Sequence, residues 1–144
     1  MHEVIKPAVK QLGAGSYVMT AAYEDQRAGT MVLSVFQCAT EPILICVAAR
    51  KGHPIEPLIR DSHSFAICKI DSTQKLMLRK FATDPVEGED PFDSFLVERM
   101  KTGSPILAKA DLVLDCEVVR HFDLEADHEL FVGEVVAARI GARA

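Results

Sequence analysis

A cluster of basic side chains offers the clearest chemistry in this chain. Arg50, Lys51 and His53 surround Gly52, immediately before Pro54, where a helix is predicted to begin. Free backbone N–H groups at a helix N-terminus, with cations beside them, favour the binding of a phosphate, and glycine lets the phosphate approach the backbone closely. A solvated basic turn is the alternative interpretation of the same residues.

Two hydroxyls and one imidazole form a second set of candidate ligand-binding groups. Thr30 and Ser34 lie four residues apart in a predicted strand, so they face the same side and could contact one ligand. His128 follows Asp127 at the start of the last predicted strand, where an imidazole at a barrel rim would respond to pH. The alternatives are ordinary strand hydroxyls and an ordinary turn.

Other familiar sites have no signature in the sequence. The five histidines and four cysteines lack the short spacing of a zinc site, so no metal site is predicted. The cysteines lie in apolar, strand-like stretches, and we interpret Cys38, Cys46, Cys68 and Cys116 as buried free thiols of a reducing compartment. The phosphate-binding and hydrolase motifs P-loop, G-x-G-x-x-G, G-x-S-x-G and H-E-x-x-H do not occur.

The composition limits the class of protein. The 144 residues are 49% hydrophobic and 26% charged, which is enough apolar content for one core, and we predict a single domain over residues 1–144. A formal net charge of −5 argues against nucleic-acid binding. The longest apolar stretch, Ile43 to Ala49, is far shorter than the about 20 residues of a membrane-spanning helix. No signal peptide is recognisable, and a cytoplasmic location is expected.

The pattern of apolar residues predicts more strands than helices. Residues 3–12 are weakly helical, with Pro7 limiting them, and an acidic loop covers residues 83–91. A capping box is predicted over residues 71–74, and turns are predicted over residues 24–27 and 102–105. The strands are predicted over residues 17–23, 30–39, 43–49, 64–70, 95–100, 112–118 and 130–138, and two helices begin near residues 54 and 74. This order predicts a mostly β fold, an antiparallel barrel of six or seven strands with two helices packed outside.

Several segments, taken together and in order, resemble the flavin reductase-like, FMN-binding split-barrel family. The segment from Asp127 to Val135 is similar to a family segment with the pattern G-D-H-x-x-x-x-G-E-V. The other segments that carry the resemblance are residues 15–21, 30–42, 43–54, 59–67, 81, 90–92 and 103–107. They span nearly the whole chain. The resemblance implies a mostly β fold, a six- or seven-stranded antiparallel split β-barrel with two or three peripheral helices.

The resemblance implies a homodimer that binds FMN near the subunit interface, with FAD as a further possibility. The isoalloxazine ring and the ribityl chain of FMN would lie against five consecutive residues, Thr30, Met31, Val32, Leu33 and Ser34. Its phosphate would lie at Ala48, Ala49, Arg50, Lys51, Gly52 and His53, with Lys51 as the main cation. Phe81 would pack near the ring, and His128 would act as the catalytic side chain near the approach of the nicotinamide.

Three functions follow from this resemblance. The first is an NAD(P)H-dependent flavin reductase, which passes a hydride from nicotinamide to flavin and supplies a partner such as a monooxygenase. The second is an FMN-binding electron carrier reduced by a protein partner, which is favoured by departures from the family pattern at residues 27–34 and at Ala126. The third is a split-barrel binding module without flavin, against which the retained basic residues 50–53 argue.

Overall fold

The structure, a computed structural model, describes residues 2–13 and 15–141. Its helices are α1 (His2–Lys10), α2 (Ile55–Ser62) and α3 (Lys75–Ala82). Its strands are β1 (Tyr17–Tyr23), β2 (Gln26–Val32), β3 (Val35–Thr40), β4 (Ile43–Arg50), β5 (Ser64–Lys69), β6 (Val97–Arg99), β7 (Pro105–Leu107), β8 (Leu112–Asp123) and β9 (His128–Ile140).

Seven strands form one antiparallel sheet in the order β2-β1-β5-β8-β9-β4-β3, and β6 pairs with β7 in a small second sheet. Strands β2 and β4 also contact each other although they are not hydrogen-bonded neighbours, because the sheet curls round its interior. The predicted mostly β, antiparallel fold with three peripheral helices is therefore confirmed. In the part of the chain that the structure describes, no helix has the length and apolar character needed to cross a membrane.

Two apolar clusters pack on opposite faces of the sheet. The inner cluster includes Met19, Val47 and Phe65, which are all fully buried, and α2 closes it with Ile59. The outer cluster packs α3 and the segment that follows the acidic loop against the sheet through side chains that include Phe81 and Phe92. The three consecutive buried residues 45–47 confirm that β4 is covered on both faces.

The prediction of one continuous strand over residues 30–39 is wrong. The structure divides it at Leu33 and Ser34 into β2 and β3, which pair with different neighbours. The predicted turn over residues 24–27 shortens to Glu24 and Asp25, because Arg27 belongs to β2 and pairs with Ala22 across the hairpin. The break after Val32 leaves the following backbone at the mouth of the barrel.

Three smaller expectations also need correction. The predicted capping box is wrong: α3 begins at Lys75, and the Asp71 carboxylate accepts a hydrogen bond from the Thr73 N–H at 2.8 Å in a turn before the helix. Residue 105 was assigned to a turn but begins β7. Cys38 is exposed rather than buried, because it lies at a bulge of the edge strand β3, whereas the other three cysteines are buried free thiols.

Candidate functional site

A cleft of about 500 Å³ opens at the mouth of the barrel. The end of β2, the end of β4, the start of β9, the N-terminus of α2 and the residues after α3 meet there. The lining residues are Thr30, Met31, Val32, Leu33, Ser34, Ala48, Arg50, Lys51, Gly52, His53, Pro54, Phe81, Ala82, Thr83, Asp84, Pro85 and His128.

The cleft brings together all but one of the residues predicted to bind a cofactor or to act on it. The exception is Ala49, which is 2% exposed and lies in the inner core, since neighbouring residues of a strand point to opposite faces. Sequence reasoning did not assign Pro54 or residues 82–85 to the site. Their position in the sequence could have indicated them, because they directly follow His53 and Phe81, which were both assigned to the site.

The basic loop is held in place by the start of the last strand. Arg50 pairs with His128 across β4 and β9, and the Lys51 N–H donates to the Asp127 carbonyl at 3.0 Å. Gly52 has φ +83°, a left-handed conformation that favours glycine, and a Cβ built there would meet no atom within 4 Å. The loop therefore presents its backbone to open space, as a phosphate-binding turn requires.

His53 belongs to the N-terminus of α2 rather than to open solvent. Its Nδ1 accepts a hydrogen bond from the Ile55 N–H at 3.0 Å, so the neutral ring carries its proton on Nε2. Burial lowers the pKa of His53, Arg50 lowers it further, and Asp84 acts in the opposite direction. The ring is therefore a neutral donor near pH 7, beside the N-terminus of the helix.

Lys51 is already engaged by a carboxylate. Its Nζ forms an ion pair with Oδ1 of Asp123, the last residue of β8. The pKa of Asp123 is lowered by that hydrogen bond and by a second one from the Glu125 N–H. An anion in the cleft has to compete with Asp123 for this ammonium group.

His128 is positioned by the residue before it. Its Nδ1 lies 3.0 Å from Oδ1 of Asp127, and this contact lowers the pKa of the Asp127 carboxyl. An ionised Asp127 accepts the Nδ1 proton, which leaves Nε2 of the neutral ring as an acceptor. The arrangement gives the cleft a histidine with a defined tautomer at its rim.

The apolar wall of the cleft is rigid where α3 meets β2. Phe81 is 2% exposed and packs against Phe92 with ring centroids 5.1 Å apart. A Cβ at Gly29 would lie 2.7 Å from the Phe81 ring, so only glycine lets that ring lie on β2. The wall thus combines an aromatic ring with the apolar side chains of Met31 and Leu33, while the side chain of Val32 lies in the inner core.

These residues fit a flavin nucleotide, a planar ring system that carries a phosphate, in chemistry and size. The volume lies within the range of about 300–1,000 Å³ that is usual for small-molecule pockets. The lining includes two cations, a neutral imidazole donor and a helix N-terminus, together with hydroxyls and an apolar wall. Within residues 2–13 and 15–141 no group of three or more His, Cys, Asp or Glu side chains is arranged to hold a metal ion.

The barrel and its cleft define a ligand-binding β-barrel with a basic end suited to a phosphate. Residues 9–144 match the family described as flavin reductase like domain, so the chain belongs to this family and the predicted resemblance is confirmed. The NADH:FAD oxidoreductase of Streptomyces globisporus has the same fold, with a TM-score of 0.85, 24% identity, and coverage of 96% of this chain and 82% of that one.

Two curated relatives are similar in sequence. A ferric-chelate reductase (NAD(P)H) of Archaeoglobus fulgidus is 26% identical over 135 residues, which are 92% of this chain and 79% of the relative. A diflavin flavoprotein A 2 of Synechocystis sp. is 30% identical over 138 residues, or 94% of this chain. The chain spans only 24% of the length of that second protein.

Proposed function

We propose that this chain is an NAD(P)H-dependent flavin reductase, in which a nicotinamide dinucleotide passes a hydride to a flavin held in the cleft. The observation that carries the proposal is the convergence of the loop 50–53, the segment 30–34 and His128 on one cleft. The names of the Archaeoglobus and Streptomyces proteins support the same reaction class. FMN is the expected flavin, and FAD is the alternative.

The phosphate of the flavin would be held at the basic end of the cleft. Arg50 and Lys51 supply charge, and Nε2 of His53 supplies a neutral donor at the N-terminus of α2. Lys51 turns from Asp123 to the phosphate, which replaces one charge-assisted hydrogen bond by another. Gly52 keeps the backbone open at this point.

The ring would lie against the apolar end of the cleft. Met31 and Leu33 exclude water from one face, Val32 contributes its backbone, and Phe81 fixes the wall behind them. Thr30 and Ser34 place hydroxyl groups where a ribityl chain or a ring edge needs hydrogen bonds. When bound, the flavin supplies the two-electron acceptor chemistry, and the chain supplies position and electrostatics.

His128 would act beside the approaching nicotinamide. It is the partner of Arg50 on the neighbouring strand, and its Nδ1 lies 3.0 Å from Oδ1 of Asp127, which favours one orientation of the ring. An imidazole at the rim can form a hydrogen bond to the carboxamide group of the nicotinamide. It can also donate or accept a proton near the reacting atoms. We propose it as the catalytic side chain.

An FMN titration followed by quenching of flavin fluorescence tests the proposal. Saturation near one FMN per chain, followed by anaerobic bleaching of the flavin with NADH or NADPH, is the expected result. FMN binding with reduction only by a reduced carrier protein would establish the electron-carrier alternative, which the similarity to a diflavin flavoprotein favours. If the purified protein bound neither FMN nor FAD, the third function, a split-barrel binding module without flavin, would be the remaining interpretation.

We also propose a homodimer, formed beside the cleft. Leu33, Phe36 and Ile43 are between 51% and 63% exposed, and they lie on or next to β3, the strand at one edge of the sheet. An exposed apolar patch beside the open edge of a sheet marks a surface where another chain can bind. Sedimentation equilibrium should give a dimer, and Phe36→Asp should give a monomer.

The remaining parts of the proposal concern the setting of the reaction. We propose that residues 1–144 work as one domain in the cytoplasm and deliver reduced flavin to a monooxygenase or a similar acceptor. The pairing of β1 with β5, and of β5 with β8, supports a single folding unit. Oxidation of NADH that accelerates when a flavin-dependent monooxygenase and its substrate are added would support delivery. A rate that does not respond would argue against it.

A further inference from the structure

A second pocket of about 320 Å³ opens beside the cleft. It lies between β2 and the acidic loop, residues 83–91. His53, Pro54 and Pro85 line both spaces, so the second pocket adjoins the cleft at these three residues. The flavin assigned to the cleft does not account for this second pocket.

The walls of the second pocket suit a flat heterocycle. Pro85, Val86 and Pro91 supply apolar surface from the acidic loop, and the small residues Ala28 and Gly29 of β2 form the opposite side. Pockets for nucleosides and other small molecules combine such apolar walls with a few polar groups. Here the polar groups at the rim include the carboxylate of Glu87.

Arg27 and Lys80, the cations next to this pocket, already form ion pairs with carboxylates of the protein. Nε of Arg27 donates to Oδ2 of Asp90 at 2.8 Å, and its guanidinium lies 5.3 Å from the centroid of the Phe92 ring. Nζ of Lys80 forms an ion pair with Glu89.

The carboxylates of the acidic loop therefore outweigh the cations. Glu87 lines the second pocket and Asp84 lines the neighbouring cleft, and no ion pair is found for either carboxylate among residues 2–13 and 15–141. The rim of the second pocket is consequently negative. A ligand bound there gains from hydroxyl donors and loses from any added phosphate.

We infer that the second pocket binds the adenosine half of a dinucleotide whose other half lies in the cleft, and that the acidic loop selects a free ribose 2′-hydroxyl. This inference rests on the proposed function. A carboxylate accepts a hydrogen bond from a 2′-hydroxyl but repels a 2′-phosphate, which is the difference between NADH and NADPH. The chain is therefore expected to prefer NADH.

Binding of mononucleotides tests the pocket without any redox reaction. We would titrate the chain with adenosine 5′-monophosphate and with adenosine 2′,5′-bisphosphate, which differ only in the 2′-phosphate. The monophosphate should bind at least about fivefold more tightly in low salt. Glu87→Arg should reverse that order, and Glu87→Gln should narrow the difference.

Asp61→Arg is the matched control, because it makes the same change of charge at the exposed C-terminal end of α2, away from the pocket. It should leave both affinities unchanged. Equal affinities in the unmodified chain, or an equal response to Glu87→Arg and Asp61→Arg, would overturn the inference.

Two further measurements distinguish whether the adenosine belongs to NADH or to FAD. If NADH is the dinucleotide, Glu87→Arg should lower the KM ratio of NADPH to NADH at least about fivefold in the FMN-loaded protein. If FAD is the dinucleotide, the same substitution should change the affinity for FAD and leave that for FMN unchanged. A substitution that alters neither quantity would overturn the inference.

The FMN titration described above separates this failure from failure of the proposed function. That titration reports on the cleft alone, whereas the nucleotide titrations report on the second pocket.

Discussion

Lys51 and Asp123 form an ion pair across the mouth of the barrel, although 72 residues separate them in the chain. Lys51 belongs to the loop after β4, and Asp123 ends β8. The hydrogen bond from Lys51 is the main reason that the pKa of Asp123 is lowered. The cation assigned to the phosphate is thus held at the edge of the cleft by a carboxylate that a ligand must replace.

Removal of this cation should weaken FMN binding. For Lys51→Ala we expect a loss of about 1.5–3 kcal/mol, the scale of a hydrogen bond to a charged group. Fluorescence titration measures it, and riboflavin, which lacks the phosphate, should bind both proteins alike. Lys109→Ala removes an exposed lysine that does not line the cleft and serves as control. An unchanged dissociation constant for FMN would place the phosphate elsewhere.

Removal of the competing carboxylate should have the opposite effect. In Asp123→Asn the ammonium of Lys51 no longer has an anionic partner, so FMN should bind roughly two- to fivefold more tightly, as expected for an exposed ion pair. The gain should disappear in the double variant Asp123→Asn/Lys51→Ala, because it acts through Lys51. Weaker FMN binding in the single variant would mean that Asp123 positions Lys51 for the phosphate.

The basic loop was predictable because its determinants are adjacent in the sequence. The loop consists of residues 50–53 and is followed by Pro54 at the start of α2. Glycine predicts a turn, proline predicts a helix N-terminus, and the two neighbouring cations Arg50 and Lys51 indicate an anion site. Its anchor to Asp123 was not predictable, because it depends on the register of β8 against β9. Cross-strand register follows from packing of the whole sheet.

The contribution of the acidic loop could not be derived from local pattern either. Residues 83–85 reach the cleft because the loop folds back over β2, where Arg27 binds Asp90 and packs against Phe92. These contacts join residues more than 60 positions apart. The break in the strand at Leu33 and Ser34 was missed for a related reason, since both halves have strand-forming sequences and only closure of the barrel separates them.

Replacement of the rim histidine should affect turnover more than flavin affinity. For His128→Ala we expect kcat with NADH to fall about 10- to 100-fold, while the dissociation constant for FMN changes less than about threefold. His121→Ala is the matched control, because His121 lies in the same hairpin and contacts Glu129 instead of the cleft. The reverse pattern, with weakened FMN and intact turnover, would place His128 against the flavin.

A methyl group at Gly29 should displace the aromatic wall. Its Cβ would lie 2.7 Å from Phe81 and 3.0 Å from Phe92, so Gly29→Ala should lower the free energy of unfolding by about 1–3 kcal/mol. Urea denaturation measures the loss. In the background Phe81→Leu the same substitution should cost less, because the smaller side chain can move aside. An equal cost in both backgrounds would show that Phe81 is not the obstacle.

Glu129 should make stability depend on pH. This carboxyl is 4% exposed, and its Oε1 lies 3.0 Å from Nε2 of His121, whose ring stacks on Phe131. Burial raises the pKa of Glu129 and the carboxylate of Glu56 raises it further, while His121 acts in the opposite direction. The folded chain therefore binds this proton more tightly than the unfolded chain does.

The resulting contribution to stability is complete below the ordinary value of 4.5 and is lost as the pH rises through the raised pKa of Glu129. Glu129→Gln keeps the shape and removes the charge, so it should raise the free energy of unfolding at about pH 8 by roughly 1–2 kcal/mol. At about pH 4 the two proteins should be equally stable. Glu117→Gln, an exposed change on β8, should have no effect at either pH. Destabilisation at the higher pH would show that the ion pair with His121 outweighs the cost of burying the charge.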